Sequence, residues 1–236
     1  MVSSKKLNIV LDIGKTNVKL TFVDSINNKT IKFFKTKQKN IYRHGIKILN
    51  SNSIFEWALK KITYIGRKHN LDKFVCTAHG TSIALISYDD KELLACTDYE
   101  YKFDKLFNSY KKIAPKFHES FSPFLENGLN IGQQIYYLYK RKQKLIKETK
   151  YILNYPQYIV WKLTSGFSSE ISYVGCHTHL WDFKRNKLSS FVKKIKLEKK
   201  FPQIRKAWDT IGQRKVGESN LKIINGIHDS NASYLY

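Results

Sequence analysis

The chain reads LNIVLDIGKTNVKLTFV from Leu7 to Val23, with two apolar runs on either side of a short polar stretch. Hydrophobic and polar residues partly alternate in each run, which is typical of β-strands. The polar stretch, DIGKTN, combines a carboxylate, a glycine, an ammonium and two short hydrogen-bonding side chains. This pattern predicts a β-hairpin whose turn is held on a rigid sheet.

The residues of this turn suit a polyphosphate and its metal ion. Gly14 has no Cβ, so backbone N–H groups near it can approach an anion closely. Lys15 adds positive charge, and Thr16 and Asn17 add side-chain donors. Asp12, at the end of the first predicted strand, offers the oxygen ligands that Mg²⁺ prefers. The same residues also fit an ordinary hairpin turn, because Asp, Gly and Asn are common in turns of any function.

Length and composition predict one globular domain. The chain has 236 residues, of which 42% are hydrophobic, and this is enough for a proper core. No repeat or Ser/Gly/Pro-rich linker marks an internal boundary, so we expect one domain over residues 1–236. The apolar runs are far shorter than the roughly 20 residues of a membrane span. The N-terminal run is also too short for a signal peptide, and we therefore expect a cytoplasmic protein without membrane contact.

The net charge of +23 raises the question of nucleic-acid binding. Lysine-rich runs lie at residues 35–39, 140–144 and 193–200, and they would supply counter-charge to a phosphate backbone. The lysines are nevertheless spread along the chain, with acidic residues among them. No zinc-finger spacing, RNP-like aromatic signature or basic region with heptads accompanies them. We therefore favour a solvated, lysine-rich surface over a nucleic-acid-binding face.

The cysteines predict reduced thiols. Cys76, Cys96 and Cys176 are widely spaced and form no CxxC pair. The run 176–179, CHTH, contains candidate metal ligands. A structural zinc site usually needs four ligands, however, and no second CxxC or HxxxH pair stands elsewhere, so we do not expect zinc.

Hydrophobic periodicity predicts a mixed-sheet α/β domain. A third strand at 30–36 would complete a meander with the N-terminal hairpin, and further strands are expected at 71–77, 151–154 and 221–227, with a small hairpin formed by 84–87 and 93–96. Helices are expected at 53–69, 131–139, 156–163 and around 189–200. Strands in a meander followed by strands alternating with helices are typical of this class.

Two more polar segments follow predicted strands. His79-Gly80-Thr81 comes after the strand at 71–77, and His228-Asp229-Ser230 comes after the strand at 221–227. In α/β folds, functional sites lie at such strand ends. Asp229 has the chemistry of a general base that takes a proton from a hydroxyl attacking phosphorus. Local alternatives remain open, because Asp229 or Ser230 also suits a helix N-cap and a lone histidine is more often structural.

Taken in order, these segments resemble the N-terminal lobe of FGGY-family carbohydrate kinases, in the actin and hexokinase superfamily. Residues 12–19 resemble the family's first phosphate motif, 79–81 its sugar-contacting loop, and 226–229 its catalytic strand end. Residues 156–158, 163–166, Glu170 and 175–178 are similar to the segment around the family's sugar cleft. The amino-acid sequences of these segments are most similar to those of the family's branch that acts on deoxy-ketoses such as fuculose and rhamnulose. Neighbouring branches of the family act on xylulose and other sugars.

The resemblance implies an α/β fold of the RNase H-like, actin-like ATPase type: a mixed five-stranded sheet flanked by helices, plus an inserted sugar-cleft segment. It implies ATP and Mg²⁺, with Asp12 near the metal and Gly14, Lys15, Thr16 and Asn17 on the phosphates. Asp229 is the implied catalytic base. The implied sugar-binding residues are His79, Gly80, Gln157, Glu170 and His228.

The resemblance also concerns partners, because these kinases are two-lobed clamps. Their second lobe carries the other phosphate loop and the adenosine pocket. This chain is similar to the first lobe alone, so we expect the full reaction to need a second lobe, in cis or in trans. The competing hypothesis is a non-catalytic module that keeps the sugar cleft or uses its basic surface on nucleic acid.

Overall fold

The computed structural model describes residues 6–234 of the expected domain. Its strands are β1 (Lys6–Ile13), β2 (Asn17–Asp24), β3 (Thr30–Lys37), β4 (Asn40–Arg43), β5 (Ile46–Leu49), β6 (Asn70–Ala78), β7 (Ile83–Ser87), β8 (Glu92–Leu94), β9 (Thr149–Asn154), β10 (Trp181–Asp182), β11 (Lys187–Leu188), β12 (Thr210–Val216), β13 (Ser219–Ile224) and β14 (Ile227–His228). Its helices are α1 (Ser51–Gly66), α2 (Phe107–Lys111), α3 (Phe117–Ser120), α4 (Ile131–Arg141), α5 (Gln143–Glu148), α6 (Tyr155–Thr164), α7 (Ile171–Gly175), α8 (Ser190–Lys194) and α9 (Asp229–Ser233), with 3-10 turns at Phe103–Leu106 and Glu198–Lys200.

The main sheet has the order β12-β13-β6-β1-β2-β3, and β14 also pairs with β6. β1, β2 and β3 form the predicted antiparallel meander, whereas β6 runs parallel to β1. Along β1, alternate residues from Leu7 to Ile13 are buried, and they pack with Val18, Leu20 and Phe22 of β2 in the core. The meander is therefore anchored by its inward-facing apolar residues.

The predicted mixed sheet flanked by helices is confirmed, but the sheet has seven strands rather than five. The N-terminal hairpin and the strands expected at 30–36, 71–77 and 221–227 lie in this sheet, whereas the strand expected at 151–154 pairs with β7 in a separate three-stranded sheet, β8-β7-β9. β12 is additional; it pairs antiparallel with β13 at the sheet edge, and only Val216 among its residues is buried. A strand this polar lacks the hydrophobic alternation that identifies strands in sequence. β14 is additional because the expected strand at 221–227 is interrupted and then resumes.

The longer predicted helices are also confirmed, with ends shifted by a few residues. In α1, Ile54, Ala58 and Ile62 lie one turn apart and face the core. The Asn50 side chain caps this helix by accepting a hydrogen bond from the Ser53 amide at 3.3 Å. The hairpin β4–β5 was not predicted. Within residues 6–234, no helix combines the length and the apolar character needed to cross a membrane.

The interruption between β13 and β14 occurs at Asn225 and Gly226. Asn225 is fully buried, and its side chain accepts from Ser168 Oγ at 2.7 Å and donates to the backbone oxygen of Arg205 at 3.1 Å. Gly226 has φ +85°, and a Cβ there would lie 2.4 Å from the carbonyl oxygen of Cys76. This kink lets β14 pair again with β6 and carries residues 228 and 229 to the end of the sheet.

Replacing Gly226 tests whether the kink is essential to the fold. We expect Gly226→Ala to lower the free energy of unfolding by about 3 kcal/mol, because it adds backbone strain and a collision with fixed backbone. Gly45→Ala is the control: Gly45 also has positive φ (+72°), but the nearest atom to a Cβ there would be Lys142 Nζ, at an ordinary contact distance of 3.9 Å. Its cost should be about 1 kcal/mol. Urea denaturation measures both, and equal losses would contradict the importance of the close approach.

Candidate active site

Three polar segments meet at one edge of the main sheet. β1 and β14 both run parallel to β6, so the carboxyl ends of these strands lie side by side. Ala78 at the end of β6 lies opposite Ile13 on one side and His228 on the other. The backbone amide of His79 also donates to the Ile13 oxygen at 2.8 Å. The phosphate turn (residues 12–17) is thus brought together with the segments that follow β6 and β14.

Within the phosphate turn, some donors are used and others are free. The Gly14 amide donates to the Asn17 oxygen at 2.9 Å, so it closes the turn itself. A Cβ on Gly14 would lie 3.0 Å from that oxygen, which explains the glycine through close packing. The exposed side chains of Thr16 and Asn17 make no hydrogen bond with a described residue. These two side chains are therefore the available donors of the turn.

Lys15 does not match its predicted position as a phosphate ligand. Its ammonium hydrogen-bonds to Asp98, lies 3.5 Å from Glu100 Oε2, and sits 4.4 Å from the centre of the Tyr99 ring. The Asp98 side chain has no exposed surface, and a buried carboxylate requires a counter-ion. Lys15 serves that need, and its ammonium is directed to the loop at 98–100.

Asp98 is held by two lysines. Lys47 lies 2.9 Å from its second oxygen, and the Glu100 amide donates to the first at 3.0 Å. Burial by itself raises the pKa of Asp98, but hydrogen bonds from Lys15, Glu100 and Lys47 outweigh it, and the net pKa is lowered. Asp98 and Tyr99 are parts of this site that sequence reasoning missed. The cluster ties the phosphate turn to the loop after β8.

Asp12 lies exposed at the end of β1, opposite Lys19 of β2. Its pKa is raised, first by partial removal of the carboxylate from water and then by the charge of Asp229, while Lys19 opposes both. A cation between the two carboxylates would relieve their repulsion. No group of three or more acidic, histidine or cysteine side chains among residues 6–234 is arranged to hold a metal. The donor set fits Mg²⁺, which is usually bound by one or two carboxylates together with substrate phosphates and water.

His79 carries a buried ring nitrogen that has no hydrogen-bond partner among the described residues. The ring is buried between the edges of Tyr99 and Tyr155, with centroids 5.7 and 5.8 Å away. Burial lowers the pKa of His79, so the ring is neutral at pH 7. Nδ1 lies 2.9 Å from the Gly80 oxygen and must carry the proton, because a carbonyl only accepts. Nε2 has no partner among the described residues and is left as an acceptor for a hydroxyl.

His228 is a buried residue beside Asp229. Its amide donates to Ser172 Oγ at 3.2 Å, and its Nδ1 donates to Asn231 Oδ1 at 2.8 Å. Nε2 lies 3.4 Å from an oxygen of Asp229. A Cβ on Gly80 would lie 2.7 Å from the same Nε2, so Gly80 leaves the space that this imidazole occupies. Gly80 thus shapes the site by having no side chain.

Asp229 begins α9, and its side chain is 34% exposed. Its Oδ1 accepts from the Ser230 amide at 2.6 Å, whereas Oδ2 has no hydrogen bond with a described residue. The N-cap position belongs to His228, so neither Asp229 nor Ser230 is the cap. After burial, the largest cause in each case, the Asp229 carboxylate also raises the pKa of Tyr99, Tyr173 and Cys176. These groups therefore share the electrostatic neighbourhood of one cleft.

Two residues that were predicted to bind the sugar, Glu170 and Gln157, are buried below the cleft surface. Glu170 is 2% exposed and caps α7, where its carboxylate accepts from the amides of Ser172 at 3.0 Å and Tyr173 at 3.2 Å. Gln157 is also buried and donates to the Asn225 backbone oxygen at 2.9 Å. Direct contact with a sugar is not supported by these positions. Glu170 instead holds Ser172, which supports His228, and Gln157 holds the kink before β14.

The run 176–179 packs beside the cleft. His179 is buried between Tyr110 and Ser122, with ring nitrogens 2.8 Å from the Tyr110 hydroxyl and 2.9 Å from the Ser122 oxygen. His177 Nδ1 lies 3.2 Å from the Leu129 oxygen. A cavity of about 330 Å³ adjoins this run and is lined by Ile171, Ser172, Gly175, Cys176, Phe183 and Asn231. Both histidines therefore have protein partners.

Comparison with known proteins gives a consistent set of structural neighbours. The sequence matches no protein-family model and no curated protein. A carbohydrate kinase from Novosphingobium aromaticivorans superimposes with a TM-score of 0.91 at 28% identity, over 98% of this chain and 50% of that chain. The chain has a carbohydrate-kinase fold. Gluconate kinase from Lactobacillus acidophilus gives a TM-score of 0.83 at 18% identity, over 98% and 49% of the two chains. Glycerol kinase from Plasmodium falciparum gives 0.76 at 14% identity, over 97% and 50%.

These neighbours are FGGY-type carbohydrate kinases, and the fold is that of the actin-like ATPases, as predicted. The chain spans about half the length of each of these solved structures. The likeness thus establishes a carbohydrate kinase-like domain. The fuculose and rhamnulose branch that we expected from the sequence stays a prediction.

The buried Asp98 cluster makes a testable contribution to stability. We expect Asp98→Asn to cost about 3 kcal/mol at pH 7, because it leaves two ammonium groups without their buried partner. Because the pKa of Asp98 is lowered in the folded state, its carboxylate contributes fully to the free energy of unfolding above pH 3.8. This contribution is lost as the pH falls further. The gap between variant and wild type should therefore shrink below pH 3.8, as measured by urea denaturation. Asp89→Asn, which removes an exposed partner of Lys91, should have almost no effect; an equal loss there would contradict the prediction.

Replacing Asp12 is expected to change the free energy of unfolding in the opposite direction from replacing Asp98. Because its native pKa is raised, its ionised form destabilises the fold, and Asp12→Asn should raise the free energy of unfolding at pH 7, by less than about 1 kcal/mol for so exposed a group. The gain should shrink as the pH falls towards 3.8 and disappear below that value, where the carboxylate is protonated in both the native and the unfolded state. Urea melts across this pH range measure it, and a less stable variant at pH 7 would contradict the repulsion between Asp12 and Asp229.

Proposed function

We propose that this chain is the sugar-binding lobe of an ATP-dependent carbohydrate kinase that phosphorylates a hydroxyl of a ketose. The observation that carries the proposal is the convergence of Asp229, His79 and the phosphate turn at the ends of three neighbouring parallel strands. This arrangement offers a base, a hydroxyl acceptor and phosphate donors at one cleft. The structural neighbours named above support the same class of reaction.

Asp229 is the candidate general base. Its Oδ2 has no partner among the described residues, so it can accept a proton from a substrate hydroxyl. The bond from the Ser230 amide to Oδ1 fixes the direction of the carboxylate. His228 packs against Tyr173 and limits movement of the adjacent backbone. Rigid support of this kind is what a base needs in order to reach a hydroxyl at hydrogen-bond distance.

His79 is the candidate orienting residue for the sugar. Its neutral ring directs an unpartnered Nε2 acceptor into a buried aromatic setting, where an unmade hydrogen bond is costly. A sugar hydroxyl would satisfy that acceptor. Recognition by such a group discriminates strongly against ligands without a hydroxyl at the same position.

The phosphate side of the cleft has fewer free groups than the sequence suggested. Thr16 and Asn17 would hold phosphate oxygens, and Asp12 would hold Mg²⁺. When bound, Mg-ATP supplies the phosphoryl group that is transferred. Lys15 contributes indirectly, because its bond to Asp98 fixes the loop carrying Tyr99 beside His79. Since this turn alone offers little to a nucleotide, we propose that a second lobe, in cis or in trans, completes the nucleotide site.

The experiment supplies that lobe. The chain is joined to the C-terminal half of the Novosphingobium kinase, and phosphorylation of fuculose, rhamnulose, xylulose, gluconate and glycerol is measured. We expect turnover of a ketose, and a loss of about a thousandfold in kcat for Asp229→Asn. Sugar binding, measured by calorimetry, should survive in that variant, because the base acts on the bound hydroxyl.

Asp72→Asn is the matched control, since Asp72 lies near the amino end of β6, away from the cleft. It should leave kcat unchanged. An Asp229→Asn protein that turns over at the wild-type rate would refute the assignment of the base. If no ketose binds to the chain, the proposed substrate class is wrong.

A further inference from the structure

A second cavity lies away from the candidate active site. It has a volume of about 580 Å³, within the range of small-molecule sites, and we call it the tyrosine-lysine cavity. It is lined by Tyr88, Lys150, Tyr151, Lys196, Glu198, Lys199 and Lys200. Tyr88 immediately follows the last residue of β7, whereas His79 lies four residues before the first, so at least the length of this strand, roughly 15 Å, lies between them in the chain.

A β-bulge shapes one wall of this cavity. In the pairing of β7 with β9, Ile86 lies opposite Tyr151 and Ser87 lies opposite Thr149, which leaves Lys150 as an extra residue. Consecutive side chains of a regular strand point to opposite faces, but Lys150 and Tyr151 both line the cavity. Bulges re-aim side chains in this way and are frequent beside functional sites.

The cavity offers aromatic surface to a ligand. Tyr88 is 67% exposed at the tip of the β7–β8 hairpin, and Lys200 Nζ lies 5.5 Å from the centre of its ring. Tyr151 is supported from behind by Phe167, with ring centroids 4.6 Å apart. An exposed tyrosine and a supported one at the same cavity are suited to stacking against a planar ring.

The charges of the cavity favour an anion. Lys150 is paired with Asp90 at 2.9 Å, and Lys200 donates to the Thr149 oxygen. Lys196 and Lys199 are exposed and have neither an ion pair nor a hydrogen bond with any residue in the described range. The cavity's one lining carboxylate, Glu198, faces four lysines. Two ammonium groups are therefore available for a ligand phosphate.

The backbone at Lys196 gives an independent indication. Lys196 has φ +56° and follows the end of α8, where the Leu197 amide donates back to the Val192 oxygen at 3.2 Å. This closure normally places glycine in the left-handed position, because a Cβ is unfavourable there. The chain carries a lysine at this strained position, and its side chain lines the cavity. Such strain is frequent at ligand-binding sites.

We propose that the tyrosine-lysine cavity binds a nucleoside phosphate, with the base stacked on Tyr88 and Tyr151 and the phosphate held by Lys196 and Lys199. The pairing of aromatic rings with free ammonium groups selects a ligand that has both a planar ring and an anionic group. The volume of about 580 Å³ suits one nucleotide rather than a strand. The site is separate from the cleft of the proposed kinase reaction and does not depend on it.

The test uses the full chain and adenosine 5′-monophosphate as the probe, with calorimetry at low and at physiological salt. Tyr88→Leu should weaken binding by about tenfold through loss of stacking. Lys196→Gln/Lys199→Gln should weaken it by a similar factor and reduce the dependence on salt. Ribose 5-phosphate, which lacks the base, should bind at least about tenfold more weakly than the nucleotide. Thermal melts confirm that each variant is folded.

Tyr64→Leu is the matched control, because Tyr64 is 52% exposed on α1 and has Lys68 Nζ 5.6 Å from its ring. It should bind the probe as the wild type does. Equal affinity of Tyr88→Leu and wild type, or equal losses in both tyrosine variants, would overturn the proposal. Binding that is lost in Asn17→Ala but kept in Tyr88→Leu would place the nucleotide in the cleft and also overturn it. A short oligo(dA) that binds far more tightly than the mononucleotide would make a single strand the ligand and overturn the choice of a nucleotide.

Discussion

The parallel pairing of β6 with β1 on one side and β14 on the other determines where every candidate functional group lies. Parallel strands end at the same edge of a sheet, so their following loops are forced together. Here the constraint is tightened by the bond from the His79 amide to Ile13 and by the kink at Gly226. Without that kink, the chain that continues from β13 would not bring Asp229 to the edge beside the phosphate turn.

A second constraint is electrostatic. Asp98 has no exposed side-chain surface, and a carboxylate in that environment is tolerated only when its charge is matched. Lys15, from the phosphate turn, and Lys47, from β5, contact different oxygens of the Asp98 carboxylate. The same pairing that satisfies Asp98 removes Lys15 from the set of free phosphate donors. The Lys15 ammonium can neutralise Asp98 or bind a phosphate, and in this structure it is bonded to Asp98.

Much of this architecture is readable from local sequence patterns. The alternation around DIGKTN predicts β1, β2 and their turn, and the helical spacing from Ile54 to Ile62 predicts α1. Pairings between distant residues are not readable in this way: Lys15 and Asp98 lie 83 positions apart, and nothing near either residue indicates the other. The burial of Glu170 and Gln157 cannot be predicted from the local sequence either. A polar residue in a loop or a first helical turn has the same local sequence pattern whether its side chain faces a ligand or bonds to the protein backbone.

The lysines on the outer edge strand of the main sheet oppose pairing between copies of the chain. β3 is the terminal strand on that side, and it presents Ile31 and Phe33 in exposed positions. An open edge with apolar residues is a template on which another copy of the chain can add a strand. Lys32, Lys35 and Lys37 lie along the same strand, with Lys32 on one face and Lys35 and Lys37 on the other, so both faces of the edge carry positive charge that a second copy would also bring. Electrostatic repulsion between copies therefore opposes the addition of a second copy's strand to β3 through backbone hydrogen bonds.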